Sequence, residues 1–150
     1  MTDTAAAAPR APGKISAAAV TPNVRRGGEI RVLLSPKTVG STSGFLGTVT
    51  LPPAGYVSEH YHPYSEEFLY VVSGSVIFTV AGEPVALDPG DALMVPKGVR
   101  HRLANPGETT AFAVFHLSPL APRPDLGHVD TEALPRPGAP QVAVGDPDER

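Results

Sequence analysis

His60 and His62 stand one residue apart, Glu66 and Glu67 follow after a short bend, and His101 comes later, just past the turn signal Pro96-Lys97-Gly98. Imidazole and carboxylate are the donor groups of borderline divalent cations. In a strand alternate residues share a face, so His60 and His62 point one way and Tyr61 the other. Glu67 opens the next strand after the bend Pro63 to Glu66, which is long enough to lay its carboxylate beside the imidazoles on a paired strand. With His101 as a third imidazole, the set suits zinc first, and iron, nickel or manganese as well. A lone His-x-His in a surface strand is ordinary polar decoration. The conjunction of four donor residues is what calls for an ion.

Such donors need a rigid frame, and the chain has the size for one. At 150 residues, with 41% apolar residues, it supports a single core. With no cysteine there is no disulfide framework, thiolate metal site or cysteine nucleophile. The Ala/Pro-rich start lacks a compact apolar segment behind a basic end, and no apolar run approaches membrane-spanning length, so the cytoplasm is the expected location, with no membrane partner. The net charge of -3 conceals a basic N-terminal quarter (Arg10, Lys14, Arg25, Arg26, Arg31, Lys37) and an acidic tail. No aromatic residues interleave those arginines, which argues against nucleic acid as a partner.

Short β-rich runs split by Gly and Pro fill the middle of the chain: EIRVLL, FLGTVTL, EFLYVV, SVIFTV, VALD, ALMVP, VRHRLA and AFAVFHL. The turn-like joints Ser73-Gly74, Ala81 to Pro84, Asp88 to Asp91 and Asn105 to Thr109 predict antiparallel hairpins closing into a sandwich or barrel. The fold expectation is therefore all-β and single-domain. Residues 1–20 are expected to form a disordered Ala/Pro-rich tail, residues 21–117 the barrel, and residues 118–150 a Pro-rich arm and tail.

The spacing His60-x-His62-x4-Glu67-x6-Gly74, then Gly90-x5-Pro96-x-Gly98-x2-His101-x3-Asn105, resembles the two motifs of the cupin superfamily, whose fold is a small jelly-roll β-barrel with a metal in its interior. Gly55, four residues before His60 where the family pattern usually has five, is a slight departure in the preceding turn. The resemblance implies His60, His62, Glu67 and His101 as metal ligands. Spacing to Gly74 selects Glu67 over Glu66, which alternation sends to the opposite face. Asn105 is expected to cap a turn through its side chain.

The stretches TPNVRRGGEIRVLLSPKTVGSTSGF, EHYHPYSEEFLYVVSG, ALMVPKGVRH and FHLSPLAPRPDLGHVD are together similar to the small cupin-type aromatic polyketide cyclases of the tetracenomycin and resistomycin sort. That likeness implies a metal-dependent cyclase closing a ring of a nascent poly-β-ketone by aldol chemistry, with the metal as Lewis acid for the enolate. It also implies an acyl carrier protein as the substrate's bearer, for which Arg25, Arg26, Arg31 and Lys37 offer a basic face. A homodimer is expected, with the N-terminal segment or the C-terminal arm lying across the partner. Two other classes compete: a cupin dioxygenase acting on an enol, diketone or aromatic substrate with the same donors, and a non-catalytic small-molecule binder.

Strand alternation nominates Phe45, Val49, Leu69, Val71, Phe112 and Val114 as substrate-lining residues, with plain core packing as the competing reading for each. His116 shares a face with Phe112 and Val114. If that face is interior, His116 is the protein's candidate for proton transfer, against a satisfied core or surface histidine. His128, in the proline-rich arm, reads as a packing or surface residue.

Overall fold

A computed structural model of the chain describes residues 12–141. Ten strands occur among them: β1 Glu29–Leu34, β2 Phe45–Leu51, β3 Tyr56–Tyr61, β4 Glu66–Ser73, β5 Val76–Val80, β6 Glu83–Leu87, β7 Ala92–Val95, β8 His101–Ala104, β9 Ala111–Ser118 and β10 Val129–Asp130. Antiparallel pairing sorts them into two five-stranded sheets, β1-β2-β9-β4-β7 and β10-β3-β8-β5-β6. The result is the all-β jelly roll expected of a cupin. Proline and glycine set its joints: Asp91 N–H bonds to the Asp88 carbonyl across the Pro89-Gly90 turn, and Asn105 caps its loop by donating to the Leu51 and Thr109 carbonyls and accepting from Gly107 N–H.

The alternation of each strand decides what faces the interior. On β4, Glu67, Leu69 and Val71 are buried, whereas Phe68, Tyr70 and Val72 are exposed. On β9 the buried set is Ala111, Ala113, Phe115 and Leu117, so Phe112, Val114 and His116 lie on the outer face. This reverses the sequence expectation for those three. Both alternate sets of AFAVFHL are apolar, and the smaller alanines take the crowded interior positions. Between the sheets sit Leu51, Val71, Val76, Phe78 and Val95, each at most 2% exposed. Complete burial of side chains this size favours folding by about 1.5–3 kcal/mol apiece.

One expected neighbour relation fails. β3 and β4 belong to opposite sheets, β3 pairing with β8 and β10 and β4 with β7 and β9. The bend at residues 62–65 carries the chain from one sheet to the other, so Glu67 meets the imidazoles from the facing sheet and not from a paired strand. The sequence reading also left out helix α1, Pro36–Val39, which Ser35 starts with a reciprocal capping box to Thr38.

Of the Pro-rich segment after β9, the described residues 119–141 form an arm on the chain's own barrel, and residues 142–150 lie outside the described residues. β10 extends the sheet beside β3, with Val129 opposite Tyr61 and Asp130 opposite His60. Beyond it, Glu132 accepts from the Glu59 N–H at 2.7 Å and from Arg102, which lies over the Tyr56 ring. Ser65 donates to the Pro119 carbonyl, and Arg25 donates to the carbonyls of Pro137 and Ala139. Of the N-terminal tail, residues 1–11 lie outside the described residues, and Ala17–Ala19 makes a single exposed 3-10 turn.

Candidate metal centre

β3 carries a register shift between Val57 and His60, placing Val57 and Ser58 both inward before His60 returns to the interior face. Such bulges re-aim side chains. His60 then stands directly opposite His101 of β8. The Pro96 to Val99 turn, with Gly98 at φ 74°, delivers the chain into β8, and the Gly98 N–H bonds to the His62 carbonyl at 2.9 Å. A side chain at Gly98 would have to adopt the left-handed region that glycine occupies freely. His62 therefore shares a hydrogen bond with the turn that positions His101.

His60, His62, Glu67 and His101 are all buried, and each offers a ligand atom within 4.8 Å of the others. Donors about 2 Å from a common zinc-sized ion would be separated by up to about 4 Å, so a small contraction closes the set. The tautomers agree with this use. Nδ1 of His60 approaches the Ser58 carbonyl at 2.7 Å, Nδ1 of His62 the Gly127 carbonyl at 3.0 Å, and Nδ1 of His101 the Val99 carbonyl at 2.9 Å. A carbonyl only accepts, so each Nδ1 carries a hydrogen and each Nε2 is the nitrogen left to face an ion, including that of His62, which lies 3.1 Å from Glu67 Oε1 and would give up any proton shared with it when the ion binds. His101 Nε2 is buried with no hydrogen-bond partner, 3.5 Å from Glu67 Oε1. An orphaned buried nitrogen aimed at a carboxylate and two further imidazoles is what a divalent cation would satisfy.

The electrostatics follow from burial and proximity. Burial raises the affinity of the Glu67 carboxylate for a proton, but the imidazoles of His101 and His62 outweigh that and hold it well below the usual carboxylate range. Burial disfavours a charged His101, yet the adjoining Glu67 wins and its pKa is raised. His60 is pushed well below its ordinary value, by burial and then by its neighbouring histidines. The centre thus holds at least one neutral imidazole and an ionised carboxylate near neutral pH.

The centre opens into a cavity of about 590 Å³ between the sheets, walled mainly by apolar side chains including Ile30, Val32, Leu103, Phe115 and Leu117. Of the residues nominated from the sequence, Phe45, Val49 and Leu69 line it. Val71 is instead fully buried in the core, and Phe112, Val114 and His116 face outward. His116 packs beside Phe68 on the outer face of the sheet, ring centroids 6.2 Å apart, which removes it from the interior role in proton transfer.

Sequence reasoning missed His128. It stacks on His60 at 4.3 Å and 14° and lines the cavity. Burial, then the charge of Arg26, pushes its pKa down to about 2, so the ring is neutral. Its Nε2 meets Arg26 Nε at 2.6 Å and Asp130 Oδ1 at 2.7 Å. The Arg26 N–H donates and the carboxylate accepts, while the His128 nitrogen takes the role its tautomer leaves it. Arg26, expected on a basic surface, has a side chain only 13% exposed, and Arg25 is spent on the arm. The signal for His128 lay in the five-residue run Gly127 to Thr131, whose alternating His-Val-Asp can add a strand to β3. Its prolines upstream concealed it.

Comparison with known proteins agrees with the architecture and narrows it. A family model described as the cupin domain matches residues 47–117. The chain is 51% identical to the tetracenomycin polyketide synthase protein TcmJ of Streptomyces glaucescens, over 90% of this chain and 91% of that one. It is 55% identical to the polyketide synthase CurC of Streptomyces cyaneus, over 76% of this chain and 74% of that one. A solved Thermotoga maritima structure, described as a predicted oxalate decarboxylase, superposes with a TM-score of 0.63 at 24% identity, covering 71% of this chain and 99% of that chain, and speaks to the fold alone. The chain belongs to the cupins, in the family of these polyketide synthase proteins.

Proposed function

We propose that this cupin serves aromatic polyketide biosynthesis as a metal-dependent cyclase, directing aldol-type closure of a ring in a poly-β-ketone. The observation that carries the reading is the union of a three-histidine, one-glutamate centre with a large apolar cavity. Relatives named as polyketide synthase proteins, similar over most of their length, supply the substrate class. A divalent ion held by His60, His62, Glu67 and His101, zinc first, would supply Lewis acidity toward a ketone oxygen. The chain's own contribution is positional. Phe45, Val49, Leu69, Phe115 and Leu117 bend a flexible chain so that the reacting carbons meet, which replaces many futile encounters with one. Leu120 and Pro124 of the arm add to the apolar lining.

In the same proposal the polyketide arrives on an acyl carrier protein, the protein works in the cytoplasm, and it does so as a homodimer. With Arg25 and Arg26 occupied by the arm, a basic surface for the carrier rests on Arg31, which pairs with Glu29, and Lys37 of α1. The test is reconstitution with a minimal polyketide synthase. Wild type is expected to redirect the products toward one aromatic compound, and His101→Ala to give the spectrum obtained without the protein. The donor set also accommodates iron, so the reaction is run anaerobically in parallel. Cyclisation that persists without oxygen supports the proposal, and strict oxygen dependence transfers the site to a dioxygenase.

A further inference from the structure

The turn between residues 23 and 27 brings two polar side chains, Asn23 and Arg26, to the cavity wall beside His128. Asn23 is 6% exposed, lines the cavity, and accepts the Arg25 N–H through Oδ1 at 3.0 Å. That bond fixes the orientation of the amide and leaves the Nδ2 hydrogens, which have no protein acceptor among the described residues. Arg26 also lines the cavity. Its Nε is used by His128 and Asp130, and neither Nη nitrogen has a hydrogen-bond partner among the described residues. The far edge of a guanidinium presents two roughly parallel N–H groups, a fork suited to a pair of oxygens. The turn is held in place by the Gly27 N–H bond to the Val24 carbonyl and by the isolated bridge from Asn23 to Ile30.

N–H donors that line a cavity without a protein acceptor are open to a ligand's oxygens, and a cluster of donors alone suits an acceptor-only ligand. We propose that Asn23 and Arg26 form an oxygen-recognition subsite of the cavity, which holds a carboxylate or the paired oxygens of an enolised 1,3-dicarbonyl on an otherwise apolar ligand. Asp130 neutralises part of the Arg26 charge and keeps the Nε edge closed, so that only the outer edge is presented. His128, wedged between this subsite and His60, spaces it one imidazole away from the metal centre. A ligand spanning the two is gripped at separate oxygens, which sets the register of the chain between them. The inference rests on the proposed function only for the nature of the oxygen pair.

The test is binding and not turnover, so a failure of cyclase activity leaves it standing. The zinc-loaded full chain is titrated calorimetrically with 2-naphthoate and with its neutral counterpart 2-naphthylmethanol. Wild type is expected to prefer the carboxylate by about tenfold or more, the scale of a charge-assisted pair of hydrogen bonds. Arg26→Gln should abolish most of that preference while the alcohol binds as before. Because Arg26 also holds the arm, Asn23→Asp is the second variant. It keeps the acceptor for the Arg25 N–H but replaces a donor by an anion, and should weaken naphthoate alone. A carboxylate preference that survives in both variants would show that the zinc site alone recognises the anion and would overturn the subsite.

Discussion

At the scale of single residues, the ligand set is a balance between one imidazole, His60, that resists a proton and another, His101, that has been given a reason to keep its own. His101 has a raised pKa because Glu67 outweighs burial, so in metal-free protein a proton is retained at His101 beyond the pH at which a free imidazole would release it. A divalent cation must displace that proton, and its apparent affinity therefore increases with pH until the raised pKa is passed. Titrating zinc into metal-free protein at pH 6 in buffers of different ionisation enthalpy should reveal release of about one proton, declining at higher pH. Proton uptake instead would contradict the assignment. Stability of the metal-free chain should have the opposite emphasis. His60 and His128 are depressed, so the unfolded chain binds more protons than the folded one below the ordinary histidine pKa, and stability falls there; His101, which is raised, compensates in part. Two groups against one predict a lower melting temperature at pH 5.5 than at pH 7.5, measured by calorimetry.

Among the elements, the arm has the largest unexplored effect, because its Gly127 carbonyl fixes the His62 tautomer and its His128 covers His60. Outer partners of metal-binding histidines commonly matter by about 10–100-fold in affinity. Deleting the chain after Ser118 should weaken zinc binding by about that factor in a chelator competition while the far-ultraviolet β signal persists. β2 makes a different prediction. Gly47 lies opposite Phe115, and a Cβ there would come 2.6 Å from the Phe115 ring and 2.5 Å from the Arg31 carbonyl. Gly47→Ala is expected to cost about 1–3 kcal/mol in denaturant unfolding, as overpacking does, and to push Phe115 into the cavity. These cases also mark what the sequence could convey. His60, His62, Glu67 and His101 were legible because the spacing within two short motifs, His60 to Gly74 and Gly90 to Asn105, resembles the cupin pattern, with strand alternation placing His60 and His62 on one face and choosing Glu67 over Glu66. The sheet that each strand joins was not, since the bend after His62 is compatible with a hairpin or a crossing. The interior face of β9 was not either, because Phe112, Val114 and His116 are no more polar than their alternates and only packing chooses between them. Arg26 and His128 were hidden for a third reason: their meeting depends on a fold-back of 102 residues that leaves no periodic trace.

For the molecule as a whole, the two sheets differ in what they present to the outside. Phe68, Tyr70, Val72 and Met94 are 42–49% exposed on the outer face of one sheet, close to Val114 and His116, with Glu66 at the end of the same row on β4. Apolar surface of more than a few hundred Å² is uncommon on a monomer. A second copy of the same face is the partner whose chemistry matches it without requiring complementary charge, and an isologous contact places each copy's face against the other's. For the proposed homodimer we therefore expect this sheet as the interface, since the arm packs on its own barrel in the single chain. Because the exposed side chains alternate with Glu67 and Leu69 along β4, a charge added at Tyr70 projects away from the metal centre. Tyr70→Glu should therefore shift sedimentation equilibrium toward monomer by at least about tenfold in dissociation constant, the scale at which a buried charge disrupts a hydrophobic contact, and leave zinc stoichiometry unchanged. A variant that remains dimeric would remove this face as the interface, and one that loses zinc together with its partner would show that the two sheets are coupled through β4.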